Sequence, residues 1–301
     1  MELSGTVVPM ATPIDADGQG IDEEMLETFT RTLIDGGVHG LFPGSSIGEF
    51  SSISASEHDT VVRIVASVAD GETTVLAGCC GTSMQEVQAK METAADAGAD
   101  AAVVVAPYYL NTTPHGLSRF FTSIADVSPL PMLLYNIPAL TGNELPVETV
   151  ATLAERDTIV GLKDTSGDLI YQHNVIEATP ESFVVFNGMT ATAVPSLDLG
   201  IDGLIAGPAN VFPAALTELY EAHRSGDDRT VTRLSRELVM PLVSAYQDIP
   251  TAAAIKHLVK LEGLDLGEPL PPLALLSQKE RKQLDACHKR ITETLDVSIV
   301  E

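Results

Sequence analysis

Seven lysines occur in this 301-residue chain. One of them, Lys163, closes the apolar, β-branched run Thr158-Ile-Val-Gly-Leu-Lys-Asp-Thr-Ser166, a pattern that forms a fully buried parallel strand. Alternation along a strand puts Gly161, Lys163 and Thr165 on one face, with Leu162 and Asp164 on the other. If the first face lines a pocket, Gly161 leaves room for a ligand and Thr165 sets a hydroxyl beside the amine. An amine in an apolar pocket loses solvation of its ammonium form, so it deprotonates more readily and can attack a carbonyl to form a Schiff base. The plainer reading is a strand-end lysine that reaches solvent, as most lysines do.

Other runs end on residues that suit the same chemistry. Pro43-Gly-Ser-Ser-Ile-Gly-Glu49 can present backbone amides and the Ser46 hydroxyl to a carboxylate. Pro107-Tyr-Tyr109 and Leu134-Tyr-Asn-Ile-Pro138 supply Tyr109 and Tyr135, and another run ends in Asn187-Gly188. Tyrosines in such places are more often packing residues with a hydrogen-bonded tip. Gly44-Ser-Ser-Ile-Gly48 also satisfies G-x-S-x-G, which would make Ser46 the nucleophile of a serine hydrolase. It follows the second apolar run, however, and no later Asp-then-His pair stands at convincing strand ends. The seven histidines are scattered singly and adjacent Cys79 and Cys80 lack ligand spacing, so no metal site and no metal or organic cofactor is expected.

The elements that must hold these residues repeat. Strand candidates lie at Gly5 to Met10, Gly40 to Pro43, Thr74 to Ala77, Ala101 to Ala106, Met132 to Tyr135, Thr158 to Lys163, Phe183 to Phe186, and Gly203 to Ala206. Amphipathic helical stretches separate them, two opening on the capping pairs Ser54 with Glu57 and Ser83 with Glu86. Eight such units predict an α/β fold, a (β/α)8 TIM barrel over residues 1–212. No G-x-G-x-x-G follows the first strand, which lowers the open-sheet alternative. Residues 213–301 read as a C-terminal helical extension packed on the barrel in a single structural unit, with helices near 214–225, 228–246, 251–262 and 278–294.

Charge narrows the partners. Acidic residues number 42 against 17 basic, a formal net charge of −25 with a pI near 4.4. Nucleic acid and anionic membranes require a basic footprint that is missing. So acidic a surface suits a salt-rich, halophilic cytoplasm, an ordinary acidic cytosolic protein being the alternative. Three cysteines make no disulfide framework and fit a reducing compartment. The start Met-Glu-Leu-Ser-Gly-Thr lacks a basic or apolar leader and no run of 18 apolar residues occurs, so a cytoplasmic protein without a membrane partner is expected.

Taken together, Gly48-Glu49 after a hydroxyl pair, Pro107-Tyr-Tyr109, Tyr135-Asn-Ile-Pro138, Thr141-Gly142, Gly161-Leu-Lys-Asp164 and Phe186-Asn-Gly188 resemble the dihydrodipicolinate synthase / N-acetylneuraminate lyase family of class I pyruvate-dependent aldolases. The resemblance covers nearly the whole chain. It implies that Lys163 forms the Schiff base with the C2 carbonyl of a 2-oxo acid, that Tyr135 is a proton shuttle, and that Ser46 binds the carboxylate and links to that tyrosine. It implies that Tyr109 reaches a neighbouring subunit's site in a homo-oligomer, dimer or tetramer, and sets Ser45, Ile47, Thr165, Gly188 and Ile205 around the substrate. Two departures stand out. Ile47 occupies the family's second hydroxyl position, so carboxylate binding leans on backbone amides and Ser46. Leu140 stands where the synthases carry an arginine for the carboxylate of the aldehyde substrate, an absence that costs about 2–5 kcal/mol. The Lys163-Asp-Thr165 and Tyr135-Asn-Ile-Pro138 pair is most similar to the archaeal 2-keto-3-deoxygluconate aldolases, Entner-Doudoroff enzymes of carbohydrate metabolism. The expected activity is therefore cleavage of 2-keto-3-deoxygluconate, or its 6-phosphate, to pyruvate and glyceraldehyde or its 3-phosphate. A dihydrodipicolinate synthase, a 2-keto-3-deoxy-pentonate dehydratase and a non-catalytic sugar-acid-binding protein are the alternatives.

Overall fold

The computed structural model of the chain describes residues 3–15, 18 and 20–295, so Met1 and Glu2, where a leader would begin, lie outside the described residues. Eight parallel strands close into a barrel in chain order: β1 (Gly5–Pro9), β2 (Gly40–Phe42), β3 (Thr74–Gly78), β4 (Ala101–Val105), β5 (Met132–Asn136), β6 (Ile159–Asp164), β7 (Val184–Asn187) and β8 (Gly203–Ile205). Between them run α1 (Glu23–Asp35), α2 (Ala55–Ala69), α3 (Met84–Ala97), α4 (Pro114–Ala125), the short α5 (Pro138–Thr141), α6 (Val147–Ala154), α7 (Leu169–Ala178) and α8 (Ala193–Asp198). The expected TIM barrel is therefore the fold. Its strands read as continuous apolar runs because both faces are buried: Val7, Phe42, Leu76, Val103 and Leu133 fill the interior, while Val8, Leu41, Val75, Val104 and Leu134 pack beneath the helices.

Local chemistry starts the helices. Ser54 and Glu57 form a reciprocal capping box on α2. On α3 only half of that arrangement forms: Ser83 accepts from the Glu86 amide, while the Glu86 carboxylate pairs with Lys90 at 2.9 Å.

One irregularity decides what enters the barrel. Met132 pairs with Ile159 but Leu133 pairs with Gly161, so Val160 is an extra residue in β6. Beyond this bulge Tyr135 is paired with Lys163, and Lys163 with Phe186 on β7. An unbulged strand would set Leu162 beside Tyr135 and turn the lysine outward.

After β8, α9 (Pro213–Ser225) packs against β1, with the Thr6 hydroxyl donating to the Leu216 carbonyl at 3.2 Å and the Tyr220 hydroxyl to the Asp202 carbonyl at 3.0 Å. It is the eighth helix of the outer ring, so the boundary expected at 212/213 falls ahead of the helix that completes the barrel. The extension proper begins with α10 (Asp228–Leu234). A π-helical turn at Ser235–Val239 joins it to α11 (Met240–Tyr246), where one regular helix was expected over 228–246. Pro241 explains the turn: it lacks an amide and its ring crowds the carbonyl four residues back, so the Met240 amide reaches Ser235 instead. Helices α12 (Thr251–Leu261) and α13 (Gln278–Leu295) pack together, and the segment between them crosses back to the barrel, where the Ile14 amide donates to Leu266 at 3.1 Å. Among the described residues no helix is long and apolar enough to cross a membrane.

Candidate active site

Lys163 is 4% exposed, and its Nζ lies 3.9 Å from the centre of the Tyr135 ring and 5.1 Å from that of Phe42. Among the described residues the nitrogen has no ion pair and no hydrogen bond. The amine thus lies inside the mouth of the barrel beside the fifth-strand phenol, and does not reach out to solvent. Thr165 carries a buried hydroxyl that likewise bonds to nothing among the described residues. Gly188 makes space for both: a Cβ there would come within 2.1 Å of Thr165 Oγ1 and 2.8 Å of Lys163 Cε. Gly161 does something other than the expected clearing of ligand space, since its Cβ would strike the Val184 side chain at 2.5 Å and carbonyl at 2.6 Å. Its missing side chain lets β7 approach β6.

Behind this layer the residue after each inward group points outward and is polar. Asp164 is fully buried and accepts from Asn136 Nδ2 at 2.9 Å, Gln172 Nε2 at 3.0 Å, and the Ser166 hydroxyl at 2.8 Å. Ser196 donates to Gln172 Oε1 at 2.7 Å and accepts from Asn187 Nδ2 at 2.7 Å. The chain of bonds ties the ends of β5, β6 and β7 together, and so fixes Tyr135 relative to Lys163.

The loop after β2 supplies the hydroxyls, which part company. Ser45 is fully buried, donates to the Met10 carbonyl at 3.3 Å and accepts from the Gly48 amide at 3.1 Å, so it shapes the turn and is not free to bind substrate. Ser46 lines a cavity of about 260 Å³ at the carboxyl end of the barrel, with Glu49, Tyr108, Leu140, Pro272 and Leu273 also in its wall. Val105, the register partner of Tyr135, lies in the same wall. Ile47 packs against the outer core, its Cδ1 close to Gly207. Ile205 is buried in the interior layer beside Val7, its register partner on β1, and does not line this cavity.

Tyr109 is not in this cavity. It is 91% exposed at φ 76, a left-handed conformation costly for a bulky residue. Asn143 braces its loop, donating to Pro107 O at 2.7 Å and Leu110 O at 3.2 Å and accepting from the Thr112 amide at 2.9 Å.

The hydrolase reading lacks its base: among the described residues no histidine bonds to Ser46. His58 is turned to the Gly78 carbonyl, and His257 and His288 pair with Asp285 and Glu262. Among the described residues no group of three or more His, Cys, Asp or Glu could hold a metal ion.

Sequence reasoning gave Glu49 no role beyond its place in the Gly48-Glu49 motif, and missed Lys256 and the 268–273 segment. Lys256 is 2% exposed and stands 2.7 Å from Glu49. Its signal was available: α12 is apolar on nearly all sides, and a lysine inside such a helix needs an acid from elsewhere.

An unpaired buried lysine next to a tyrosine, at the carboxyl end of a closed parallel barrel, defines a barrel enzyme of the class I aldolase type. Residues 2–291 match the Dihydrodipicolinate synthetase family, and the chain belongs to that family of lyases. It is 38% identical over 273 residues to a 4-hydroxy-tetrahydrodipicolinate synthase of Methanopyrus kandleri, covering 90% of this chain and 91% of that one. It is 37% identical over 284 residues to an uncharacterized DapA-like lyase of Halobacterium salinarum, covering 94% and 92%. Among solved structures, YagE of Escherichia coli K12, a prophage protein of the dihydrodipicolinic acid synthase family in complex with pyruvate, superposes with a TM-score of 0.91 at 32% identity, covering 97% of this chain and 99% of that one.

Proposed function

We propose that the protein is a Schiff-base aldolase that joins pyruvate to, or releases it from, an uncharged hydroxyaldehyde, with 2-keto-3-deoxygluconate as the cleaved acid. The observation that carries this reading is Lys163 Nζ, buried with no acid partner among the described residues and 3.9 Å from the Tyr135 ring. In the cleavage direction the amine adds to the C2 carbonyl and loses water to give a protonated imine. A base then takes the proton of the C4 hydroxyl, the C3–C4 bond breaks into the imine, and an aldehyde leaves an enamine of pyruvate. Tyr135, whose ring lies against the amine, is read as the proton relay. The Ser46 hydroxyl and the amides of Ser46 and Ile47, which donate to no backbone acceptor among the described residues, suit the 2-oxo acid carboxylate.

The aldehyde half is read from the cavity wall. Its one charged side chain is Glu49, already paired with Lys256, and Leu140 contributes only apolar surface. A carboxylate or phosphate entering there would meet no free cation, which favours a neutral sugar-derived aldehyde. Tyr109, outside its own cavity and exposed, is then available to complete the site of a second copy. The second reading, a 4-hydroxy-tetrahydrodipicolinate synthase, is favoured by the Methanopyrus relative at 38% identity.

Borohydride reduction with pyruvate should add the mass of the reduced adduct to the Lys163 peptide, and Lys163→Ala should abolish both adduct and turnover. Supplied with pyruvate, the enzyme should use glyceraldehyde at least about tenfold better in kcat/KM than aspartate semialdehyde or glyceraldehyde 3-phosphate. Absence of the adduct removes the mechanism. Preference for aspartate semialdehyde selects the synthase.

A further inference from the structure

The loop that carries Ser46 is held from outside the barrel. Three residues after Ser46, Glu49 turns back at φ 56 and is 3% exposed. Its Oε1 meets Lys256 Nζ of α12 at 2.7 Å, both side chains being essentially without solvent contact at 0% and 1%. Its Oε2 accepts from the Leu270 amide at 2.6 Å, and Lys256 donates in turn to the Glu268 carbonyl at 3.2 Å. One carboxylate and one ammonium therefore join three segments far apart in sequence: the 45–49 loop, α12 and the 268–273 crossing.

That crossing borders the cavity that Ser46 lines. Pro272 and Leu273 line the same cavity as Ser46, while Pro269 and Leu270 line, together with Lys256, a second cavity of about 380 Å³ on its other side. The pair stands between the two spaces. Burial pushes the Lys256 ammonium down from its ordinary range, and Glu49 beside it opposes the shift. Desolvating two charges carries a cost that their mutual attraction only partly returns, so a buried ion pair is weak evidence of a contribution to stability. A buried pair between two cavity walls is thus more informative about placement than about stability.

We propose that Glu49 and Lys256 are positioning residues that hold the 45–49 loop against the 268–273 crossing, setting the width of the cavity that Ser46 lines and so the position of the Ser46 hydroxyl for a 2-oxo acid carboxylate. The assignment rests on Lys163 being the Schiff-base amine. The structure thereby gives the C-terminal extension a part in substrate binding.

The test uses the whole protein as Glu49→Gln, Lys256→Met and the double variant. Each single change strands one buried charge and should lower Tm, and the double should recover most of the loss. Two readouts separate positioning from stability in the folded double variant. Amide exchange at Leu270 and through 45–50 should quicken about tenfold or more. The pyruvate concentration giving half-maximal borohydride trapping on Lys163 should rise about tenfold, more than kcat falls. A double variant with wild-type Tm, exchange and pyruvate half-saturation overturns the proposal. If the double variant does not fold, Glu49→Asp, which keeps the charge but shortens the reach, is read the same way: unchanged half-saturation and exchange overturn it. Should the wild type itself fail to trap pyruvate, the aldolase reading falls, while the exchange measurement still decides whether the pair holds the two walls.

Discussion

Lys163 and Lys256 are almost equally buried, at 4% and 2% exposed, and what surrounds each decides what it can do. Lys256 has a carboxylate 2.7 Å away that holds its charge in place. Lys163 has two aromatic faces, the Thr165 hydroxyl that has no partner among the described residues, and the gap left by Gly188. That gap is a narrow requirement. Gly188→Ala would put a methyl 2.8 Å from Lys163 Cε and 2.1 Å from Thr165 Oγ1, so both side chains must move. Overpacking of this kind costs about 1–3 kcal/mol, and a displaced amine loses its attack geometry as well. The expected outcome is a fall in kcat of about a hundredfold or more with only a few degrees lost from Tm; an alanine variant with full kcat would show that the lysine is not held by this contact. Lys163 was legible in the sequence because a lysine ending a buried run is out of place. At Lys256 the apolar helix signalled a buried amine but did not name its partner, since Glu49 lies in a distant loop. The neighbours Ser45 and Ser46 carry the same chemical group, and only the path of the turn tells which hydroxyl is used internally.

At the scale of elements, the eight strands were legible because burial on both faces writes an unbroken apolar run, and their ends fell within a residue or two. The β6 bulge was not. Its effect is one of parity, and Val160 is as good a strand residue as its neighbours. Neither could composition reveal how α2 is fastened to β3. His58, 2% exposed, holds the Gly78 carbonyl at 2.8 Å across the loop that follows β2. Burial lowers its pKa below the ordinary 6.5, with the Gly78 bond opposing that shift. In the unfolded chain the imidazole takes a proton as pH falls through 6.5, whereas in the folded chain it stays neutral until a lower pH. The unfolded state therefore binds more protons in that window, and this contribution to stability, present in full above 6.5, is lost as pH falls towards the depressed value. His58→Gln keeps a donor for Gly78 and cannot titrate. Urea midpoints taken from about pH 5 to 8 should show the wild type losing stability relative to the variant only below neutrality, by up to ~1.4 kcal/mol per pH unit. Parallel curves would mean that His58 takes up its proton equally readily in the folded and the unfolded chain.

At the scale of the molecule, the charge is not spread evenly. Residues 1–212 hold 28 acidic and six basic side chains, against 14 and eleven in residues 213–301. Nearly all of the net −25 is therefore on the barrel side, and the helices packed on it are close to balanced. Repulsion among the barrel's carboxylates opposes compaction, and it acts over the Debye length, about 10 Å at 0.1 M salt and about 3 Å at 1 M. The Glu49–Lys256 pair, with no solvent contact, lies beyond the reach of that screening. Salt should thus stabilise the fold without altering how the cavity is held. Raising KCl from about 0.1 to 1 M is expected to lift Tm by roughly 5 °C or more, equivalent to ~1–3 kcal/mol for a chain of this size. NaCl at equal ionic strength should do the same, because screening does not distinguish the cations. Pyruvate half-saturation of Lys163 trapping, measured well below Tm at each salt concentration, should change by less than about threefold. A Tm that ignores both salts would mean that the carboxylates on the barrel are already compensated, and the acidic surface would then need an explanation other than salt.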